Sequence, residues 1–110
     1  MATIYIDNDM YISLERGGRL KDEKGNYITG ATVEVTLYKA DGSTEVDGIA
    51  WPVTLDEGSE DGEYFGVIPS EVELEAGERY FLDVKATTTE GSNARWVKMV
   101  EPRYRTIRDN

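Results

Sequence analysis

Apolar and polar residues alternate along most of the chain. Side chains of a β-strand point in turn to its two faces, so a period of two predicts strands with one face in a core and the other in water. One-sided burial of this kind is typical of antiparallel sheets. The apolar positions that share a face are Ile4 and Ile6; Met10, Ile12 and Leu14; Val33, Val35 and Leu37; Trp51, Val53 and Leu55; and Tyr80, Leu82, Val84 and Ala86.

Turn residues separate these segments. Glycine tolerates positive φ angles, and Asp or Asn side chains bond to nearby backbone, so both residue types mark tight turns. They occur together at 24–26, 41–43, 47–48, 61–62 and 90–93. Short strands at such spacing predict a sandwich or a barrel. We therefore expect an all-β fold, a single antiparallel β-sandwich of about seven strands.

Two segments between the strands need separate interpretation. Residues Pro69 to Gly77 begin and end like a short capped helix, but Val72 and Leu74 also fit the alternating pattern. We expect an extended or single-turn connection there. Tyr64 directly follows an Asp-Gly turn. A tyrosine at such a place often packs inward with its hydroxyl bonded to backbone, which is a structural role.

Cysteine and histidine are both absent from the 110 residues. Their absence excludes disulfides and thiolate metal sites, and it removes the commonest general base and transition-metal ligand. Carboxylates crowd the loop 56–62, and calcium prefers oxygen ligands. The twelve-residue calcium-loop pattern is missing, so solvated loop acids are favoured and calcium is the alternative. We expect no catalytic residue, cofactor, metal or small-molecule substrate, and thus no enzyme.

Targeting signals are also missing. The first residues lack the basic start and long apolar stretch of a signal peptide. No apolar run approaches the roughly 20 residues that span a bilayer. We expect synthesis in a cytoplasm without a signal peptide, and no membrane partner.

The net charge of −10 is unevenly distributed. Acidic chains repel phosphate backbones, so we expect no nucleic-acid partner. Residues 95–110, in contrast, hold five bases and two acids. We assign 1–102 to the sandwich domain and 103–110 to a basic C-terminal arm. Such an arm can dock on an acidic surface, and a solvated tail without a partner is the simpler alternative. The candidate contact residues of the arm are Arg103, Tyr104, Arg105 and Arg108.

Several apolar residues are candidates for contacts with a partner. Phe65 and Val67 alternate with inward-facing positions of their strand, and Phe81 does so in another strand, so these three form a candidate interaction patch. Trp96 is a further candidate, with ambiguous orientation. A core position is favoured for both Trp51 and Trp96. The alternative is an exposed sugar-stacking platform.

Three motifs carry a resemblance to a known family. In order they are Asp22-x-x-Gly25-Asn26-x-Ile28-x-Gly30-Ala31-x-Val33, Asp61-Gly62-x-Tyr64 and Ala76-Gly77-x-x-Tyr80. Their order resembles immunoglobulin-like and transthyretin-like sandwich repeats, and it is similar to small immunoglobulin-like proteins encoded among the structural genes of tailed bacteriophages. The resemblance spans roughly two thirds of the chain. It implies an immunoglobulin-like fold and no catalytic residues.

This resemblance, together with an unsignalled free-standing chain, favours a virion component. We expect a non-enzymatic structural protein of the head, neck or tail that binds other virion proteins or copies of itself. A carbohydrate- or cell-surface-binding module is the alternative. An enzyme or metal-dependent protein has the least support.

Overall fold

The computed structural model describes residues 2–14, 20–22, 24–91 and 93–104. These residues contain no helix, and so none that could cross a membrane. The predicted all-β fold of about seven strands is confirmed. The strands are β1 (Ala2–Tyr5), β2 (Met10–Leu14), β3 (Thr32–Tyr38), β4 (Val53–Glu57), β5 (Tyr64–Ile68), β6 (Tyr80–Thr87) and β7 (Asn93–Arg103).

The strands form one mixed sheet that folds over into a nearly closed, barrel-like sandwich. Their order is β1-β7-β6-β3-β4-β5-β2. β4 pairs with β3 through its first residues and with β5 through its last two, so it joins the two halves. The orders β3-β6-β7 and β4-β5-β2 agree with strands C-F-G and D-E-B of the immunoglobulin fold. One pairing differs from the antiparallel expectation, because β1 runs parallel to β7.

A second immunoglobulin feature lies at the start of β6. The hydroxyl of Tyr80 accepts a hydrogen bond from the backbone N–H of Glu75 at 2.9 Å. The Tyr80 side chain is buried. Gly77 between them has a φ of +88°, a left-handed conformation that favours glycine. This arrangement corresponds to the tyrosine corner of immunoglobulin-like sandwiches and explains the spacing of the Ala-Gly-x-x-Tyr motif.

The inward faces of both halves pack into one hydrophobic core. The predicted alternation is confirmed in β3, where Val33, Val35 and Leu37 are almost completely buried. The connection 69–77 contains no helix, as expected, and its two apolar side chains also join the core. The remaining strand residues of the core include Ile4, Met10, Leu55, Tyr64, Ile68, Tyr80, Val84, Ala86 and Val100.

Tyr64 ties a long loop to the core. Its side chain is 0% exposed. Its hydroxyl donates to the carbonyl oxygen of Ile28 at 3.0 Å and accepts from the N–H of Ala31 at 3.2 Å. The predicted structural role is confirmed, although the backbone partners lie far away in sequence.

Gly48 marks another close approach between loops. The N–H of Glu73 donates to the carbonyl of Asp47 at 2.9 Å. This bond brings the backbone at 71–73 so near that a Cβ on Gly48 would overlap the carbonyl oxygen of Glu71. With a φ of +109° as well, only glycine fits this position without strain.

Candidate interaction surfaces

The first exposed apolar surface lies on the outer face of β2 and β5. Phe65 and Val67 point outward, as expected from the sequence. Tyr11 lies directly opposite Val67 and stacks on Phe65, with ring centroids 5.7 Å apart. Tyr11 is 64% exposed. We call these three residues the β5 patch. The sequence does not indicate that Tyr11 belongs to it, because the pairing of β2 with β5 cannot be derived from the alternating pattern.

The second exposed apolar surface lies on the outer face of β3, β6 and β7. Phe81 stands between Tyr38 on β3 and Met99 on β7, directly in register with both. All three are half-buried. Val97, two residues before Met99 on the same face, is 54% exposed. We call Tyr38, Phe81, Val97 and Met99 the β6 patch.

The two patches are separate surfaces. Their strands send the opposite side chains into one shared core, so their outer faces point away from each other. Phe81 therefore does not lie with Phe65 and Val67 as the sequence suggested. The molecule offers two apolar faces instead of one.

An ion pair with a buried carboxylate adjoins the β6 patch. Asp83 points outward from β6 but is only 2% exposed, because Arg95 of β7 lies across it. The guanidinium Nε is 3.0 Å and 3.1 Å from the two carboxylate oxygens, and an Nη lies 2.6 Å from one of them. Hydrogen bonds to Asp83, and its negative charge, raise the pKa of Arg95. Asp83 occupies a position that the alternating pattern predicts to face water, so this pair could not be derived from the sequence.

Trp96 lies beside an open strand edge. It shares the inward face of β7 with Val100, and it is directly opposite Val84 of β6. The expected core position is nevertheless wrong for Trp96, which is 45% exposed. β1 pairs only with Val100–Arg103 of β7, so within the described residues no strand covers the edge before Val100. Trp51, in contrast, packs half-buried against the core and donates its indole N–H to the carbonyl of Val46 at 2.6 Å.

The predicted basic arm begins within β7. Arg103 is the last residue of this strand, and its carbonyl accepts from the N–H of Ile6 at 2.8 Å. Its guanidinium lies 3.5 Å from the Glu101 carboxylate. Tyr104 is exposed. Arg105 and Arg108 lie outside the described residues, so docking by the arm stays a prediction.

An open groove of about 760 Å³ lies close to this end of β7. Asp7, which lines it, follows the residue bonded to Arg103. Apolar side chains of the core line part of the groove, and two bases also contribute. The acidic lining residues are Asp7, Asp41, Asp47, Glu71, Glu73, Glu75 and Glu78.

The carboxylates of the acidic loops accept hydrogen bonds, some from distant and some from neighbouring residues. Glu57 accepts from the N–H of Gly30 at 2.8 Å. Asp41 accepts from the hydroxyl and N–H of Thr44 and from the N–H of Ser43, and these bonds lower its pKa to about 2. Across the described part of the chain, no three carboxylates are grouped so that they could hold a metal ion.

Comparison of the chain with protein-family models, with curated proteins and with solved structures finds no match. The resemblance to bacteriophage proteins therefore stays a prediction from the sequence motifs. The two patches and the open edge of β7 are the features from which a function can be inferred.

Proposed function

We propose that the protein is a non-enzymatic interaction module of a tailed bacteriophage particle, in the head, neck or tail. It binds neighbouring virion proteins or copies of itself and is synthesised in the host cytoplasm. The observation that carries this proposal is the β6 patch beside the open edge of β7. The resemblance of the sequence motifs to those of phage structural proteins provides the link to the particle.

The β6 patch has the composition of a protein interface. Aromatic residues, Met and Arg are enriched at such interfaces, whereas unpaired charges are depleted from their centres. Val97 is the most exposed member of the patch. The neighbouring carboxylate of Asp83 already has its partner in Arg95, so a docking protein would not bury an unpaired charge there.

The open edge of β7 adds backbone groups to this apolar surface. Unpaired N–H and C=O groups of an edge strand readily pair with another chain, which is a common mode of assembly. The combination of apolar face and free edge therefore favours a protein partner. The acidic charge of the chain, −10, opposes a nucleic-acid partner.

Purified particles of the encoding phage provide the test. We expect mass spectrometry to detect the chain in them. Val97→Glu should then prevent incorporation, because it places a charge in the β6 patch. Thr32→Glu is the matched control, an exposed threonine on the outer face of β3, and should incorporate normally. Absence of the wild-type chain from the particles would refute the proposal.

A carbohydrate-binding module is the second candidate, supported by the exposure of Trp96. Indole rings stack on sugars when one face is open to solvent. Glycan binding would shift the fluorescence of the wild type, whereas Trp96→Phe would show no shift because the half-buried Trp51 would be the only remaining tryptophan. A screen with no shift would remove this candidate.

A further inference from the structure

The free edge of β7 has room for one additional strand. β6 pairs with one side of β7 from Asn93 to Val100. On the other side, β1 pairs only from Val100 onward. Asn93 to Met99 thus lack a strand partner on that side within the described residues. Natural proteins usually cover, shorten or bend an edge of this length.

We propose that this edge pairs antiparallel with the same edge of a second copy, about a two-fold axis at Trp96. The proposal rests on the interaction function above and names a second copy as partner. A two-fold contact must be self-complementary, since each surface meets itself. In this register the facing pairs are Trp96 with Trp96, Arg95 with Val97, Ala94 with Lys98, and Asn93 with Met99.

The facing pairs are compatible with one another. Arg95 and Lys98 never stand opposite a like charge; each faces an apolar residue of the other copy. Val97 would pack against the aliphatic stem of Arg95, whose guanidinium is held by Asp83. Directly opposed aromatic residues stabilise antiparallel pairs, and the two Trp96 side chains would form such a pair.

Trp96 supplies the apolar surface that a dimer would bury. It lies on the core-facing side of β7 yet is 45% exposed, because no described strand continues the sheet next to it. A second β7 would continue the sheet at this place. Lys98 would then lie diagonally from the indole of the other copy, within reach of a cation–π contact.

Charge further restricts where two copies can meet. Each carries a net charge of −10, so most surfaces repel each other. The stretch from Asn93 to Val100 contains two bases and no acid. Copies that join there keep their carboxylates apart. Salt should strengthen this dimer, because it screens the remaining repulsion between the two bodies.

Solution mass tests the dimer. Light scattering should give twice the mass of one chain at high salt. Trp96→Glu should raise the dimer Kd at least tenfold, because it removes the aromatic side chains of both copies from the centre of the contact. Tyr11→Glu, an equally drastic change on the β5 patch, should leave the Kd unchanged. A wild type that is monomeric at every salt and protein concentration would overturn the inference.

Two other outcomes would also overturn it. A dimer that salt dissolves, and that is lost when the chain ends at Tyr104, would assign the contact to the basic arm and the acidic groove. A dimer that appears only in this shortened chain would show that residues 105–110 cover the edge. If the protein is monomeric but is incorporated into particles, the dimer inference fails and the proposed function stands. Failure of the dimer is thus distinguishable from failure of the proposed function.

Disulfide cross-linking tests the register. The natural chain has no cysteine, so introduced thiols are unique. Ala94→Cys and Lys98→Cys chains should cross-link when mixed, because directly opposed residues lie about 4.5–5.5 Å apart between Cα atoms. Neither variant should cross-link with itself, since the identical positions would be separated by four residues, about 13 Å. Self-cross-linking of either variant, or none in the mixture, would contradict this register.

Discussion

Replacing Tyr64 with Phe removes one oxygen atom from a side chain that has no exposed surface. That oxygen bonds the carbonyl of Ile28 and the N–H of Ala31. Both backbone groups lose their partner, and each would cost about 1–3 kcal/mol if it were fully buried. Ile28 and Ala31 are half-buried, so water can partly replace the hydroxyl. We therefore expect a loss of about 1–3 kcal/mol in the free energy of unfolding.

Tyr80→Phe is the matched control. It removes a single hydrogen bond, to the N–H of the exposed Glu75, and should cost about 0.5–1.5 kcal/mol. Urea denaturation followed by tryptophan fluorescence would measure the free energy of unfolding of both variants. In thermal unfolding, Tyr64→Phe should lower Tm by roughly 5–15 °C. Wild-type stability for Tyr64→Phe, or a larger loss for Tyr80→Phe, would refute this account of the loop.

The same tyrosine predicts a dependence on alkaline pH. Burial raises the pKa of Tyr64, and the negative charge of Glu57 raises it further. In the unfolded chain the phenol loses its proton near pH 10. Its contribution to stability is thus complete below that pH and is lost as pH rises toward the higher pKa of the folded state. Tyr64→Phe should reduce this loss.

The remaining predictions concern three other sites. Gly48→Ala should lower stability, measured by thermal unfolding, whereas substitution of an exposed threonine should not. NMR titration of Asp41 should give a pKa of about 2, and Thr44→Val should raise this pKa. The contribution of the Asp41 carboxylate to folding stability is present above about pH 4 and is lost as pH falls toward 2. Arg95→Met should destabilise more than Asp83→Asn, because it leaves a buried carboxylate unpaired; equal effects in urea denaturation would contradict this.

Local patterning was sufficient to predict most of the sandwich. Alternation alone identifies the inward residues of β3 and β6, because a pleated strand sends every second side chain to the same face. The Ala-Gly-x-x-Tyr spacing likewise predicts the turn before β6. The pattern around Ile4 predicts a strand but contains no information on its partner, so the parallel pairing of β1 with β7 could not be derived from it.

The candidate surfaces were less predictable, because they depend on contacts between distant residues. Asp83 is buried only because Arg95 lies over it from the neighbouring strand. Trp96 is exposed because β1 begins at Ala2, directly opposite Val100, and no feature near Trp96 in the sequence indicates this register. Alternation assigns Phe81 correctly to the outer face. Its neighbours in the β6 patch lie on two other strands, so the patch could not be predicted without the register of all three strands.

Hydrogen–deuterium exchange of β7 tests the central claim most directly. Between Asn93 and Met99, the backbone amides that point away from β6 should become more protected as protein concentration rises, because a second copy pairs with this edge. Amides of the loop 58–63 should exchange at an unchanged rate and serve as an internal reference. Equal exchange of these β7 amides at all concentrations would contradict the claim that two copies of the protein pair through this edge.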